Sequence, residues 1–375
     1  MTDIGEDVVK RTPLRGAQEE LNARFGDAHG WEMAQSYADP REETRKVREG
    51  VGLIDLSHHG AIKIGGKEGV QFLNGLVTND VKTLQKGSGM RAAFLTGHGK
   101  VKALCRIFAL GEEYLIINDP QTHEKVFKYV FPFSYAGDFK VDDVSDQYRL
   151  LSVQGPKSLL VMKEICFEPV PSLNENDWLE TIIAGQHVLV ARSSHTGETG
   201  FDIFTPASGL RDVWDFILLK GGFHSIAPIG LQALESLRLE AGIPVYGADV
   251  DESNMMLETG LSDAVSFSKG CYTGQEAVAM ATYRGHISKK LSGLVFADDR
   301  VPLPGATISK DAKQIGHITS AIKSDTLGEV IALGYIKYGY FEPENTVQVE
   351  SEGSSLAAKV VELPFYRAVG NERVK

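Results

Sequence analysis

MRAAFLTGHGKVKALCRIFALGEEYLIIND, residues Met90 to Asp119, is the stretch whose reading decides the fold. Three apolar-rich runs are parted by two turn signals, TGHGK and GEE, so the stretch reads as successive hairpin strands. A doubly wound α/β chain would set single strands before each helix; strands that arrive in hairpins favour an α+β fold instead. Asn118 closes the last run, where an asparagine either forms a turn or offers its amide to a ligand at the strand's mouth. Cys105, inside ALCRIF, reads as a packing residue of its strand.

Working outward toward the N-terminus, KEGVQFLNGLV has the spacing of an amphipathic helix, and VGLIDLSHHGAIKIGG alternates as two short strands around a His-Gly turn. The histidines of SHHG, His58 and His59, are expected on opposite sides of a strand, with no metal-ligand spacing to complete them. ADPREETRKVREG reads as a helix capped by Asp39, with Pro40 in its first turn and Gly50 at its end; its many charges predict a solvated face. Toward the C-terminus, THEKVFKYVF is helical, and DQYRLLSVQGPKSLLVMKEI is strand, Gly-Pro turn and helix, with Cys166 near the helix end. GQHVLVARSSHTGETGFDIFTP is two strands around a glycine-rich bend, and GLRDVWDFILLKGG and PIGLQALESLRLEAG are helices. From about Lys290 only short strands and turns follow. The division expected is therefore a helix-and-strand part over 10–287, resembling two similar α+β halves, and a β domain over 288–370.

The 375 residues suit roughly two to three domains. With 42% hydrophobic and 24% charged residues the chain has the composition of a globular protein and not of a disordered one. A formal net charge of −11 argues against general affinity for nucleic acid or an anionic membrane surface. No apolar run reaches membrane-helix length and the start, MTDIGEDVVKR, is polar, so a cytoplasmic or organelle-matrix location is expected. Cys105, Cys166 and Cys271 are far apart without a CxxC, which predicts reduced thiols and no zinc site. Neither GxxxxGK[ST] nor GxGxxG occurs, which disfavours nucleoside triphosphate chemistry.

Three further positions have chemistry to offer. Glu198, between glycines in HTGETG, is either an exposed hairpin residue or a carboxylate placed to accept paired hydrogen bonds from an amidine-like edge such as a pterin ring. Arg238, on the ESLRLEAG helix, either pairs with Glu235 one turn back or stands at a cleft wall facing an anionic or aromatic ligand. In KGCYTGQE, Lys269 to Glu276, Cys271 lies just before a helix that begins after Gly274, with Lys269 nearby. Both neighbours favour a thiolate, but no histidine base follows except His286, fifteen residues on, so the thiol is either functional or a turn residue.

Taken together, TPLRGAQEELNARFGDAHGWEM, VREGVGLIDLSHHGAIKIGG, LVTNDVKTLQKG, DQYRLLSVQGPKS, HTGETGFDIF and LRLEAGIPVYGADVDE resemble the glycine-cleavage T-protein family, the tetrahydrofolate-dependent aminomethyltransferases, over nearly the whole chain. KGCYTGQEAVA with YRGHISKKL is similar to the YgfZ branch of that superfamily, folate-binding proteins linked to iron-sulfur enzymes. The resemblance implies two interlocked α+β subdomains and a distorted C-terminal β-barrel around a folate pocket. It implies a pterin-gripping acid at Glu198, with Asn118 and Arg238 as pocket residues. It makes Cys271 a candidate functional thiol, set among Lys269, Gly270, Tyr272, Gly274, Gln275 and Glu276.

Two departures qualify it. Where T-proteins carry the carboxylates of a GG-I-x-DD pattern, GHGKVKALCRIF has Ala103 and Leu104, which can neither move a proton nor stabilise a developing positive charge. Where the YgfZ pattern has an arginine after the octapeptide, Met280 stands, with Arg284 one turn later. The expectation is a tetrahydrofolate-binding protein of YgfZ type, acting in iron-sulfur cluster assembly or repair. Its partners are reduced folate and iron-sulfur proteins or assembly factors, and it takes no metal, nucleic acid or membrane. The alternatives are a folate-dependent one-carbon transferase, either aminomethyltransferase or demethylase, and a scaffold with a vestigial site.

Overall fold

A computed structural model describes residues 9–135, 137–283 and 287–368. The hairpins of the 90–119 stretch form as the sequence predicts: Gly89–Leu95, Val101–Ala109 and Glu113–Asn118 pair antiparallel in succession. They belong to a five-stranded sheet completed by Gly60–Gly65 and Lys140–Asp143. A six-stranded sheet runs in the order Trp178–Ile183, Gln186–Arg192, Gly200–Pro206, Tyr148–Gln154, Val51–Asp55, Ile226–Pro228.

The chain passes between these sheets where it would be expected to make hairpins. Val51–Asp55 pairs within the six-stranded sheet, whereas Gly60–Gly65, four residues later, pairs within the five-stranded one. Lys140–Asp143 and Tyr148–Gln154 are divided in the same way. Each half thus contains strands whose sequence neighbours lie in the other, which interlocks the two α+β units. One apolar cluster spans the joint, placing Phe108 and Leu115 of one sheet with Leu150 and Phe204 of the other and with Leu237 of the Leu231–Glu240 helix. Phe108 and Phe204 meet edge to face at 5.5 Å between ring centroids, a favoured aromatic geometry.

Two expectations need correcting. The helix Pro40–Glu49 is capped by Asp39, whose side chain accepts from the Arg41 N–H, as read from sequence, but its charged face is not wholly solvated. Glu43 is buried and accepts from the N–H groups of Tyr37, Ala38 and Gly230, while Arg48 is 7% exposed and pairs with Glu198 and Glu240. A charged helix face is buried here because every charge finds a partner on another segment. His58 and His59 do not diverge either: they lie in the turn between two strands, where strand alternation does not apply, and their rings stack with centroids 4.9 Å apart.

Beyond the helix Gln275–Tyr283, six strands from Lys289–Phe296 to Ser354–Val361 close into a barrel. Its alternating residues fill the interior, with Leu294, Ile308, Ile318, Ala332, Val349 and Val360 in one cluster. Its outer wall meets the rest of the chain through Leu239, packed with Leu291, Leu333 and Tyr335. The architecture is α+β with a closed C-terminal barrel. Among the described residues no helix is long and apolar enough to cross a membrane.

Candidate functional site

A cavity of about 350 Å³ opens where the two sheets and the Leu231–Glu240 helix converge. Its apolar wall includes Leu56, Leu104, Ile117, Phe204, Leu234 and Tyr246, and its polar groups come from several separate segments. A mostly apolar recess with a few convergent polar groups is the usual form of a small-molecule site.

Asn118 lies at the end of a central strand, held on one side by Gly60 and on the other by Cys105. It is 1% exposed and lines the cavity, and both the oxygen and the nitrogen of its amide are buried without a protein partner. Buried amides are nearly always satisfied, so an orphan pair of this kind points to a ligand or ordered water. His58 and His59 line the same recess, each with an unpartnered Nδ1. Burial, with His29 nearby, lowers the His58 pKa to about 4; burial and the neighbouring His58 hold His59 well below the ordinary value. Both are therefore neutral imidazoles near pH 7.

Arg238 also lines the cavity, but its guanidinium is engaged. The expected pair with Glu235 forms, Nε donating to Oε2 at 2.9 Å, and further bonds go to Asp249, the Ile243 carbonyl and Ser320 of the barrel. Glu198 is not among the lining residues; it is 3% exposed and accepts from Arg48 at 3.1 Å. Strand alternation separates the two positions of the missing carboxylates. Ala103 is fully buried in the core of its sheet, and Leu104 is the one whose side chain belongs to the cavity wall. Of the two positions where the resemblance implies carboxylates, Leu104 faces the cavity and Ala103 faces the other way.

The octapeptide stands apart from the cavity. Cys271 is exposed, and none of Lys269 to Glu276 lines the recess. The ammonium of Lys269 is not free to face the thiol: it donates to the carbonyls of Asn74, Val77 and Asn79 at 2.7 to 2.8 Å, at the C-terminal end of the helix Gly69–Leu76. Burial lowers its pKa to about 8. The same ammonium lies 5.0 Å from the centre of the Tyr272 ring, which is itself buried. The Thr273 N–H donates to the Gly75 carbonyl, and Gly274 has φ +83°. A Cβ on Gly274 would lie 2.6 Å from the Thr96 carbonyl, so this glycine lets the segment dock on the TGHGK turn. Gly270 has open space around it, and Gln275 and Glu276 open the last helix. Met280 is exposed, and Arg284 and His286 lie outside the described residues.

Sequence reasoning missed a buried ionic cluster on the cavity wall. Asp202 accepts from Arg106 at 2.8 Å, from Ser152 at 2.7 Å and from His195 Nε2 at 2.9 Å. Burial pushes the Asp202 carboxyl up, but His195, Arg106 and Ser152 outweigh it and hold the pKa well below the carboxylate range. His195 and Asp202 flank Glu198 in the same SSHTGETGFD hairpin; their spacing was visible, but their direction was not. Also missed was Asp119, next to Asn118, which lines the cavity near His29. Among the described residues no group of three or more His, Cys, Asp or Glu has the arrangement of a metal site.

Residues 14–269 match the family model described as the GCVT N-terminal domain, and residues 289–367 that of the glycine cleavage T-protein C-terminal barrel domain. A protein of Halothermothrix orenii named aminomethyltransferase is 32% identical over 95% of this chain and all of its own length. One of the same name from Bacillus subtilis is 30% identical over 96% of this chain and all of its own. The crystal structure of the glycine cleavage system aminomethyltransferase T from Bartonella henselae superposes with a TM-score of 0.88 at 25% identity, covering 96% of this chain and 99% of that one. These matches overturn the expectation of a YgfZ-type role in iron-sulfur cluster assembly, and with it the iron-sulfur partners. The chain's likeness to proteins named aminomethyltransferase runs end to end, whereas the YgfZ likeness rests on one short segment that proves to be docked on a hairpin turn.

Proposed function

The chain belongs to the glycine cleavage T-protein family, and on that premise we propose that it is a folate-dependent aminomethyltransferase. Tetrahydrofolate or a derivative occupies the cavity between the sheets in this reading, and supplies the nitrogen that accepts the one-carbon unit. The observation that carries the proposal is Asn118. Its amide presents a donor and an acceptor side by side, both unpartnered and both buried in the wall of an otherwise apolar recess. A pterin ring offers the complementary edge, and the neutral imidazoles of His58 and His59 add further donors and acceptors without charge.

Arg238 acts in this scheme as a wall residue whose direction is fixed by Asp249 and Glu235. Glu198 acts one layer behind the wall, holding Arg48 and the glycine-rich hairpin in place. The Arg106, Asp202 and His195 cluster gives the wall a fixed array of charge rather than a mobile acid, because the carboxylate of Asp202 is fully committed. The aminomethyl donor is carried by a protein, the H-protein with which family members work.

Two measurements test the proposal together. Calorimetric titration with tetrahydrofolate is expected to show one site per chain, and Asn118→Ala to weaken it about 10-fold, the cost of roughly 1–2 kcal/mol for a lost buried hydrogen-bonding group. With aminomethylated H-protein as donor, ammonia release is expected only when tetrahydrofolate is present. Absence of both binding and release from folded protein rules the proposal out.

A further inference from the structure

Leu104 leaves the cavity without an acid where the T-protein pattern has one, yet the recess is not without carboxylates. Among the described residues three line it: Asp119, Asp202 and Glu235. Asp202 is saturated by Arg106, Ser152 and His195, and Glu235 is tied to Arg238. Asp119 has no ion pair with any Lys or Arg among the described residues. One of its oxygens, Oδ1, accepts from the Gln121 N–H at 3.0 Å, which fixes the side chain and leaves Oδ2 for another partner.

Its position follows from the sheet register. Arg106 pairs with Ile117 and Cys105 with Asn118 across the antiparallel strands; Leu104 precedes Cys105, and Asp119 follows Asn118 just past the end of its strand, so the two come next to the last paired residues. Leu104 and Asp119 both line the cavity, and Asp119 follows immediately on the orphan amide of Asn118. Burial raises the Asp119 pKa, and the Gln121 N–H and His29 only partly offset it. A carboxylate in that state is a better proton acceptor than an exposed one.

We propose that Asp119 is the acid-base residue of this cavity, doing from just past the end of one strand the work that the family pattern assigns to the strand beside it. The inference rests on the aminomethyltransferase reading. In the transfer, a ligand nitrogen forms its new bond to carbon with its lone pair and loses its N–H proton to Asp119. The donor's departing group leaves with the electron pair of the breaking bond and takes that proton from Asp119. The carboxylate begins and ends ionised, and its negative charge is the right sign beside a carbon that becomes positive as its bond breaks.

The test compares Asp119→Asn and Asp119→Glu with the wild type, using tetrahydrofolate as the ligand and aminomethylated H-protein as the donor. Binding is read by calorimetry, turnover by ammonia release and folding by thermal melting. Asp119→Asn is expected to bind tetrahydrofolate within about threefold of wild type and melt normally, while turnover falls by about 100-fold or more, the usual scale of lost general acid-base catalysis. Asp119→Glu, which keeps the carboxylate, is expected to recover at least about a tenth of wild-type turnover. Full turnover by Asp119→Asn beside an active wild type overturns this inference alone. Parallel loss of binding, turnover and melting temperature in both variants also overturns it, by making Asp119 structural. A wild type that binds tetrahydrofolate and transfers nothing defeats the aminomethyltransferase reading, and this inference with it.

Discussion

At the scale of single residues, the chemistry of the site depends on which polar groups are left unsatisfied. Asn118 and Asp119 are sequence neighbours at the mouth of one strand, and each keeps capacity that the protein does not use. Asp202 shows the opposite state. Its three partners hold the folded pKa below the ordinary value of 3.8, so its contribution to stability is complete above about pH 4 and is lost as pH falls through the folded value. The stability difference between wild type and Asp202→Asn, measured by denaturant titration, is therefore expected to stay constant from about pH 6 to about pH 4 and to shrink below that. A difference that grows on acidification would contradict the assignment. In the sequence, Glu198 was the conspicuous acid of SSHTGETGFD, because glycines flank it. Its neighbours His195 and Asp202 reach the cavity instead, since only the fold determines which way a hairpin's side chains turn.

At the scale of elements, the octapeptide KGCYTGQE is a docking segment between two pieces of the five-stranded half. Lys269 satisfies three carbonyls where the helix Gly69–Leu76 runs out of N–H partners, and Gly274 lies against the TGHGK turn. Lys269→Met keeps the length of the side chain but removes all three donors. It is expected to cost roughly 3 kcal/mol in urea denaturation, the scale of buried carbonyls left unpaired. A loss below about 1 kcal/mol would mean that water replaces the ammonium there. Most helices and strands from Pro40 onward were legible in the sequence because their signals are local, whereas the helix Arg15–Glu20 and the strands Arg24–Ala28, Trp31–Ser36, Lys140–Asp143 and Trp178–Ile183 were not read. The cap at Asp39, the Gly50 stop and the hairpin turns of 90–119 all act within a few residues. The buried face of Pro40–Glu49 was not legible, because the partners of Glu43 and Arg48 come from segments as distant as Gly230 and Glu240.

At the scale of the whole molecule, Asp249 ties the barrel to the helix that lines the cavity. One of its oxygens accepts from Arg238 and the Val245 N–H, and the other from Thr319 and Ser320 of the barrel. Asp249→Ala leaves the buried Arg238 with Glu235 as its one carboxylate partner and is expected to cost about 3 kcal/mol, with faster amide exchange in the barrel strand Lys313–Lys323 as well as in Leu231–Glu240. Faster exchange in only one of them would show that the two parts do not depend on this joint. By itself the sequence determined most of the elements from Pro40 onward, the α+β class, the β character of the C-terminal part and the T-protein family though not its branch, since periodicity, turn residues and motifs are written in consecutive positions. Tertiary structure alone decided that the strands flanking SHHG enter different sheets, and that Leu104 rather than Ala103 faces the cavity. It also decided that Lys269 is bound to carbonyls and that Asp119 and Leu104 line the same cavity. Each of these depends on register and packing between distant segments, and a polar residue's chemistry is set by the partner it meets there.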